Sequence, residues 1–174
     1  MIYRNGTLDD APAMARIFNH YVATSPVIFS CARLSDDDMH AKLQRLEAGT
    51  TYPFFVAQNP DGSLAGYAYA HLWQPDPVYD TSWEVTIYLH HAACGRGIGG
   101  TLLRMLVDEC RLRGAHTLVS FITDGNEPCI RMHLSAGFER VGCIPQTGLK
   151  FGRYYDDAIY WRTLSDDDED TAKR

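Results

Sequence analysis

The stretch HAACGRGIGGTLL, residues 91–103, sets Gly95, Gly97 and Gly100 around Arg96, immediately before a leucine-rich run. Glycine at this density serves a chain whose backbone must pass close to another group, since no Cβ obstructs the approach and left-handed backbone carries no penalty. A strand, then glycines, then a helix start is an anion site by geometry. The first amides of the helix have no carbonyl of their own to bond, and the positive end of its dipole faces the loop. Arg96 supplies a fixed charge able to take a phosphate in bidentate fashion. A pyrophosphate is the guest that suits such a cradle; the plain alternative is a tight strand-to-helix connection. The glycines also satisfy G-x-G-x-x-G, but a dinucleotide fingerprint belongs after the first strand of a βαβ unit. Here the loop follows the fourth expected strand, with five residues, HHAAC, between strand and first glycine. The acid wanted downstream falls at Asp124, inside the turn-rich ITDG. A nicotinamide-dependent oxidoreductase is therefore the weaker rival.

Around the loop the periodicities predict the order β-α-α-β-β-β-α-β-α-β-β. TLDDAPAMARIFNHYVAT opens with Thr7 as N-cap and Asp10 three residues on, then Met14, Ile17, Phe18 and Tyr21 at helical spacing. SDDDMHAKLQRLEAG repeats the device with Ser35 as cap, Met39, Leu43 and Leu46 on one face and Gly49 as stop. PFFVAQ and LAGYAYAHLW flank the turn signal NPDG and read as an antiparallel hairpin. SWEVTIYL is the next strand. After the glycines, Ile98, Leu102, Leu106 and Cys110 make a helical stripe that Gly114 ends. HTLVSFI is a buried strand, EPCIRMHLSAG a helix with Pro128 in its first turn and Gly137 at its end, and FERVGCIP and DAIYWRTL are closing strands. The fold class is α/β (α+β): one domain, residues 1–164, with a mixed, mostly antiparallel sheet flanked by helices.

Charge and cysteine usage narrow the partners. The formal net charge is −6, half of it from the tail SDDDEDTAKR, residues 165–174, which reads as a solvated, disordered end. The rest offers no nucleic-acid-sized basic surface. No apolar run approaches the ~18 residues of a membrane span, and the first residues lack the layout of a secretory signal. The cytoplasm is the expected location. The five cysteines are widely spread with no zinc spacing, so no metal is expected. Adjacent His90 and His91, read as strand residues, face opposite ways and do not share an ion.

At this point the strand-GRGIGGTLL-helix, the segment HTLVSFITDGNEPCIRMHLSAGFERVG and the two N-terminal helices resemble a GNAT-superfamily N-acetyltransferase. YDTSWEVTIYL, RMHLSAGF and the late GLKFGRYYDDAIYW, in that order, bring the likeness closest to the phosphinothricin / methionine sulfone acetyltransferase branch, over Tyr3 to Leu164. The resemblance implies acetyl-CoA as co-substrate. It sets the pantetheine arm along Ile87, Tyr88 and Leu89, and the pyrophosphate on Gly95, Arg96, Gly97, Ile98, Gly99 and Gly100. It further implies Asn126 beside the pantetheine and Cys129 at the usual Ser/Ala position. Cys94 departs from the family's Gln or Arg at the head of the glycine motif. A homodimer is expected on the same ground, with GLKFGRYYD as the segment that reaches a neighbouring subunit.

Making an amide from a thioester requires a neutral amine, so a base must take a proton as the amine approaches. Glu84, in SWEVTIYL, has apolar neighbours whose burial would raise its carboxyl from ~4.3 toward a useful range. The resemblance makes it the general base, and makes His133, seven residues after Asn126, the donor to the departing thiolate. Glu84 on an exposed strand face and His133 as a packed helix histidine are the structural alternatives. Cys94 and Cys129 as acyl-carrying nucleophiles lack a partner histidine at defined spacing. For the acceptor, Phe29, Trp73 and Tyr79 make a candidate aromatic wall and Lys150, or Arg33, a candidate carboxylate anchor. The arginines expected before the catalytic strand are absent from LWQPDPVYDTSWE, where Gln74 and Asp80 stand instead. The reading is direct acetyl transfer to a small amino acid or amino-acid-like amine. An acyl-CoA-binding sensor without turnover, or a polyamine, antibiotic or protein N-terminus as acceptor, are the alternatives.

Overall fold

In the computed structural model, residues 1–164 are described; the acidic tail expected at 165–174 lies outside them. The helix-start signals act as read. Ser35 Oγ accepts from the Asp38 N–H at 3.1 Å while the Asp38 carboxylate accepts from the Ser35 N–H at 2.9 Å, a reciprocal cap that opens α2 (Asp36–Arg45). The helix stops at Arg45 rather than at Gly49, because the chain already leaves helical backbone at Glu47, where φ is +50°. Thr7 and Asp10 cap a single turn, Leu8–Asp10, that leads into α1 (Ala11–Thr24). Met14, Ile17 and Phe18 of α1 pack with Met39 and Leu43 of α2 on one face of the sheet.

The sheet has seven strands in the order β1-β2-β3-β4-β5-β7-β6: β1 (Ile2–Asn5), β2 (Phe54–Gln58), β3 (Leu64–Leu72), β4 (Ser82–Leu89), β5 (Thr117–Thr123), β6 (Glu139–Lys150) and β7 (Arg153–Thr163). Every neighbouring pair is antiparallel except β4 and β5. Helix α3 (Ile98–Leu112) covers the other face with Ile98, Leu102, Leu106 and Cys110, all buried, and α4 (Glu127–Ser135) follows β5. The closing hairpin is longer than expected. Strand β6 continues past Pro145 to Lys150, because it is the edge strand and the missing proline N–H costs no ladder bond. Phe151 and Gly152, with φ of +50° and +73°, close a two-residue turn onto β7.

One irregularity shapes the molecule. Strands β4 and β5 pair only over Ser82–Glu84 with Thr117–Val119. Beyond Glu84, β4 stays in register with β3 as far as Leu89 opposite Gly66, and β5 stays with β7 as far as Thr123 opposite Asp157. Each strand follows its own antiparallel partner, and sheet twist carries the two halves apart. The facing edges of Val85–Leu89 and Ser120–Thr123 are left without a strand between them.

At the N-terminus, Arg4 makes two 2.8 Å hydrogen bonds to Asp10, whose carboxylate also accepts from the Thr7 N–H at 2.9 Å. Burial pushes the Asp10 carboxyl up, but these bonds outweigh it and hold it below its ordinary value. Its contribution is thus present above the unfolded pKa of about 3.9 and lost as pH falls through the lower folded value. Asp10→Asn should cost about 1–2 kcal/mol near neutrality. The gap to the parent should close below about pH 4, as read by urea unfolding at both pH values.

Candidate active site

The splay opens into a cavity of about 840 Å³. Its walls are the free edges of β4 and β5, the first turns of α3 and α4, and the loop after α1. Ile87, Tyr88 and Leu89 line it as expected, with Gly95, Gly97, Gly99, Gly100, Asn126 and Cys129. Arg96 and Ile98 do not: Arg96 is exposed outside the lining, and Ile98 is buried in the core under α3.

The glycines of the loop have separate reasons. Gly95 and Gly97 adopt φ of +74° and +76°, left-handed backbone that turns the chain into α3. Gly99 is fixed by packing, since a Cβ there would stand 2.7 Å from Met132 Sδ on α4. The turn brings the glycines at the α3 N-terminus, where the first amides of a helix lack carbonyl partners of their own, into the cavity wall. The loop has the small residues and helix-start amides that suit a pyrophosphate, and the open strand edges have the unpaired backbone groups that suit an extended amide arm. Cys94 also lines the cavity, with its Sγ 3.7 Å from the Tyr21 hydroxyl, which itself donates to the Leu89 carbonyl at 2.8 Å.

Glu84 faces the cavity from β4 at the last paired position before the splay. Burial raises its carboxyl; His71 and Lys42 oppose the rise and Asp157 adds to it. His71, directly across on β3, holds its Nε2 3.8 Å from Glu84 Oε1. Asp157, on β7 and on the same face of the sheet, also lines the cavity with its carboxyl raised by burial. Neither His71 nor Asp157 was visible as a site residue in the sequence, since only the register across three strands brings them to Glu84.

His133 is brought to the cavity, but in a form that corrects its expected role. A backbone carbonyl only accepts, so the 2.9 Å contact to the Cys129 carbonyl puts the proton on Nδ1, and Nε2 accepts from the Ser120 hydroxyl at 3.1 Å. Burial lowers the ring to about 4. A neutral imidazole with both nitrogens engaged is no proton donor to a leaving thiolate near neutrality. The same arrangement answers the nucleophile question on a new ground. His133 Nδ1 is 3.6 Å from Cys129 Sγ but carries its own proton, and burial pushes that thiol up to about 12.

The acceptor residues are redistributed too. Phe29 lines the cavity, its ring against Gly148 of β6, where a Cβ would come within 2.9 Å. Trp73 and Tyr79 instead pack on each other at 5.2 Å, edge to face, away from the cavity lining. Lys150 is no free carboxylate anchor: its ammonium is buried and donates to the carbonyls of Tyr21, Ser25 and Ile28 at 3.4, 2.8 and 2.8 Å. Among the described lining residues Arg131 is the one arginine or lysine, and it lies 3.6 Å from Glu127. His90 lies just past the end of β4 and His91 opens the turn after it; their rings stack at 4.3 Å instead of facing opposite ways.

The family profile described as "Acetyltransferase (GNAT) family" matches residues 14–138. Phosphinothricin N-acetyltransferase of Alcaligenes faecalis is 35% identical over 90% of this chain and 79% of its own length. The L-methionine sulfoximine/L-methionine sulfone acetyltransferase of Salmonella typhimurium is 33% identical over 84% of this chain and 85% of its own. Among solved structures, a GNAT superfamily phosphinothricin acetyltransferase from Sinorhizobium meliloti in complex with AcCoA superposes with a TM-score of 0.89. It is 30% identical, over 94% of this chain and 88% of that one.

The His133 geometry has a direct check. Nitrogen chemical shifts of labelled histidine should show a neutral, Nδ1-protonated ring from about pH 6 to 8, with titration near 4. Because the folded value lies below the unfolded ~6.5, this group should withdraw stability steadily as pH falls through that window.

Proposed function

This chain belongs to the acetyltransferase (GNAT) family and uses acetyl-CoA as co-substrate, and we propose that it acetylates the primary amine of a small amino-acid-like compound of the phosphinothricin or methionine sulfone kind, with Glu84 as general base. The observation that carries the base assignment is the position of Glu84: a carboxylate raised by burial, at the apex of the splay, facing the cavity. A carboxylate whose proton affinity is raised by burial takes a proton from the attacking amine more readily than an exposed one.

The free edges of β4 and β5 hold the extended arm of the donor, and the amides around Gly95–Gly100 take its pyrophosphate. With the donor fixed, the amine nitrogen attacks the thioester carbonyl while Glu84 removes its proton, directly or through one water. His133 orients α4 and Cys129 through its bonds to Ser120 and the Cys129 carbonyl. The catalytic domain is residues 1–164 in this reading. The five cysteines are all free, in keeping with a cytoplasmic protein. Leu149, Phe151 and Tyr154, each more than half exposed on the closing hairpin, are the surface we assign to a homodimer contact.

The deciding experiment is thiol release from acetyl-CoA with a panel of amines: phosphinothricin, methionine sulfone, other amino acids, polyamines and a peptide N-terminus. Turnover on the first two sustains the reading, turnover confined to another class replaces the acceptor, and binding of acetyl-CoA with no turnover makes the chain a sensor. Glu84→Gln should lower kcat ~10²-fold or more while leaving acetyl-CoA affinity nearly intact. An unchanged rate removes Glu84 from the base role.

A further inference from the structure

A base that accepts a proton in every cycle must also lose it, and the cavity is a poor way out for Glu84. Its side chain is 26% exposed, and it lines the cavity that would hold donor and acceptor, so bound substrates cut it off from bulk water on that side. His71 stands differently. It lies directly across from Glu84 on β3, does not line the cavity, and keeps 18% of its side chain exposed. Its Nδ1 is 2.9 Å from the Leu72 carbonyl, which only accepts, so the proton sits on Nδ1 and the Nε2 lone pair is left toward Glu84 Oε1 at 3.8 Å. That gap is closed by a tilt of the carboxyl or by one water. An imidazole can take a proton on one nitrogen while the other stays hydrogen-bonded, which a relay to water requires.

We infer that His71 is the proton exit of this active site, a positioning residue that acts through Glu84. The inference rests on Glu84 being the base. The amine's proton goes to a Glu84 carboxylate oxygen, then to His71 Nε2, giving an imidazolium still bonded through Nδ1 to the Leu72 carbonyl. The imidazolium then gives that Nε2 proton to water reaching the exposed part of the His71 side chain, which does not line the cavity, so Glu84 is ionised again. The charged and titratable groups around this pair include Asp157 from β7, Lys42 from α2, Tyr88 of β4 itself and the Tyr69 ring beside His71 on β3. Lys42 lies over the Phe18 ring, 5.2 Å from its centroid, while His71 Nε2 stands 3.8 Å from Glu84 Oε1.

The test is His71→Gln, assayed from about pH 6 to 9 in dilute buffer with both substrates saturating, alongside Glu84→Gln and the parent. Acetyl-CoA binding and thermal unfolding establish that the variant is folded. We expect kcat to fall about tenfold with both KM values within about a factor of two. The pH dependence of kcat should change shape, and added imidazole should restore most of the rate in His71→Gln while leaving the parent unaffected. Parent-like kcat and pH dependence in His71→Gln, or a loss that imidazole does not relieve, overturns the exit. The third variant separates the two claims. Impaired Glu84→Gln beside an intact His71→Gln removes the exit alone, whereas a fully active Glu84→Gln removes the base and the exit together.

Discussion

Two parallel strands that pair for three positions and then diverge set the terms for everything else in this molecule. A parallel ladder is normally continued because an open edge leaves amides and carbonyls unpaired. Here β4 and β5 each pair over a longer stretch with an antiparallel neighbour than with one another, and the edges left open become walls of the cavity. The backbone groups that the sheet does not use are the ones that an extended amide arm can use. Glu84 sits where the pairing ends, so the same feature that opens the cavity places a carboxylate on its wall.

The glycine loop shows how one short sequence serves several constraints. Two of its glycines turn the backbone through left-handed space, and a third keeps α3 close to Met132 of α4. Only their sum resembles a phosphate motif. The cradle is therefore held from outside by α4, whose own start carries Asn126, Cys129 and the buried His133. His133, bonded to Ser120 on β5, ties that helix to the opposite lip of the splay. Its tautomer makes it a fixed strut.

The order of elements, both helix caps and the placement of the glycine loop were legible in the sequence because each is written in a few adjacent residues. Ser35 with Asp38 and the NPDG turn are read without knowing what lies across the sheet. Glu84 was legible as a candidate because acid inside an apolar strand is conspicuous. What escaped depended on register. His71 meets Glu84 only because β3 and β4 pair with Leu72 opposite Trp83, and a long loop between them hides that alignment. Asp157 reaches the same face by way of Thr123. Lys150 looked like a free cation because sequence does not show three carbonyls converging on it. The long β6 was hidden by Pro145, a residue that ends a strand anywhere but at an edge.

The grip of Lys150 has a consequence for how the cavity is built. Val27, Ile28 and Phe29 form part of its wall, yet they belong to an irregular segment with little regular hydrogen bonding of its own. Their position is set by an ammonium on β6 that gathers the carbonyls at the end of α1 and in the segment itself, and by Thr123 of β5, whose hydroxyl donates to the Pro26 carbonyl at 3.0 Å. Because it binds main chain, that grip is indifferent to which side chains the segment carries. The side chains of the segment can thus change while its main chain, and with it that wall of the cavity, keeps its place: dimensioned by a strand and decorated by a loop.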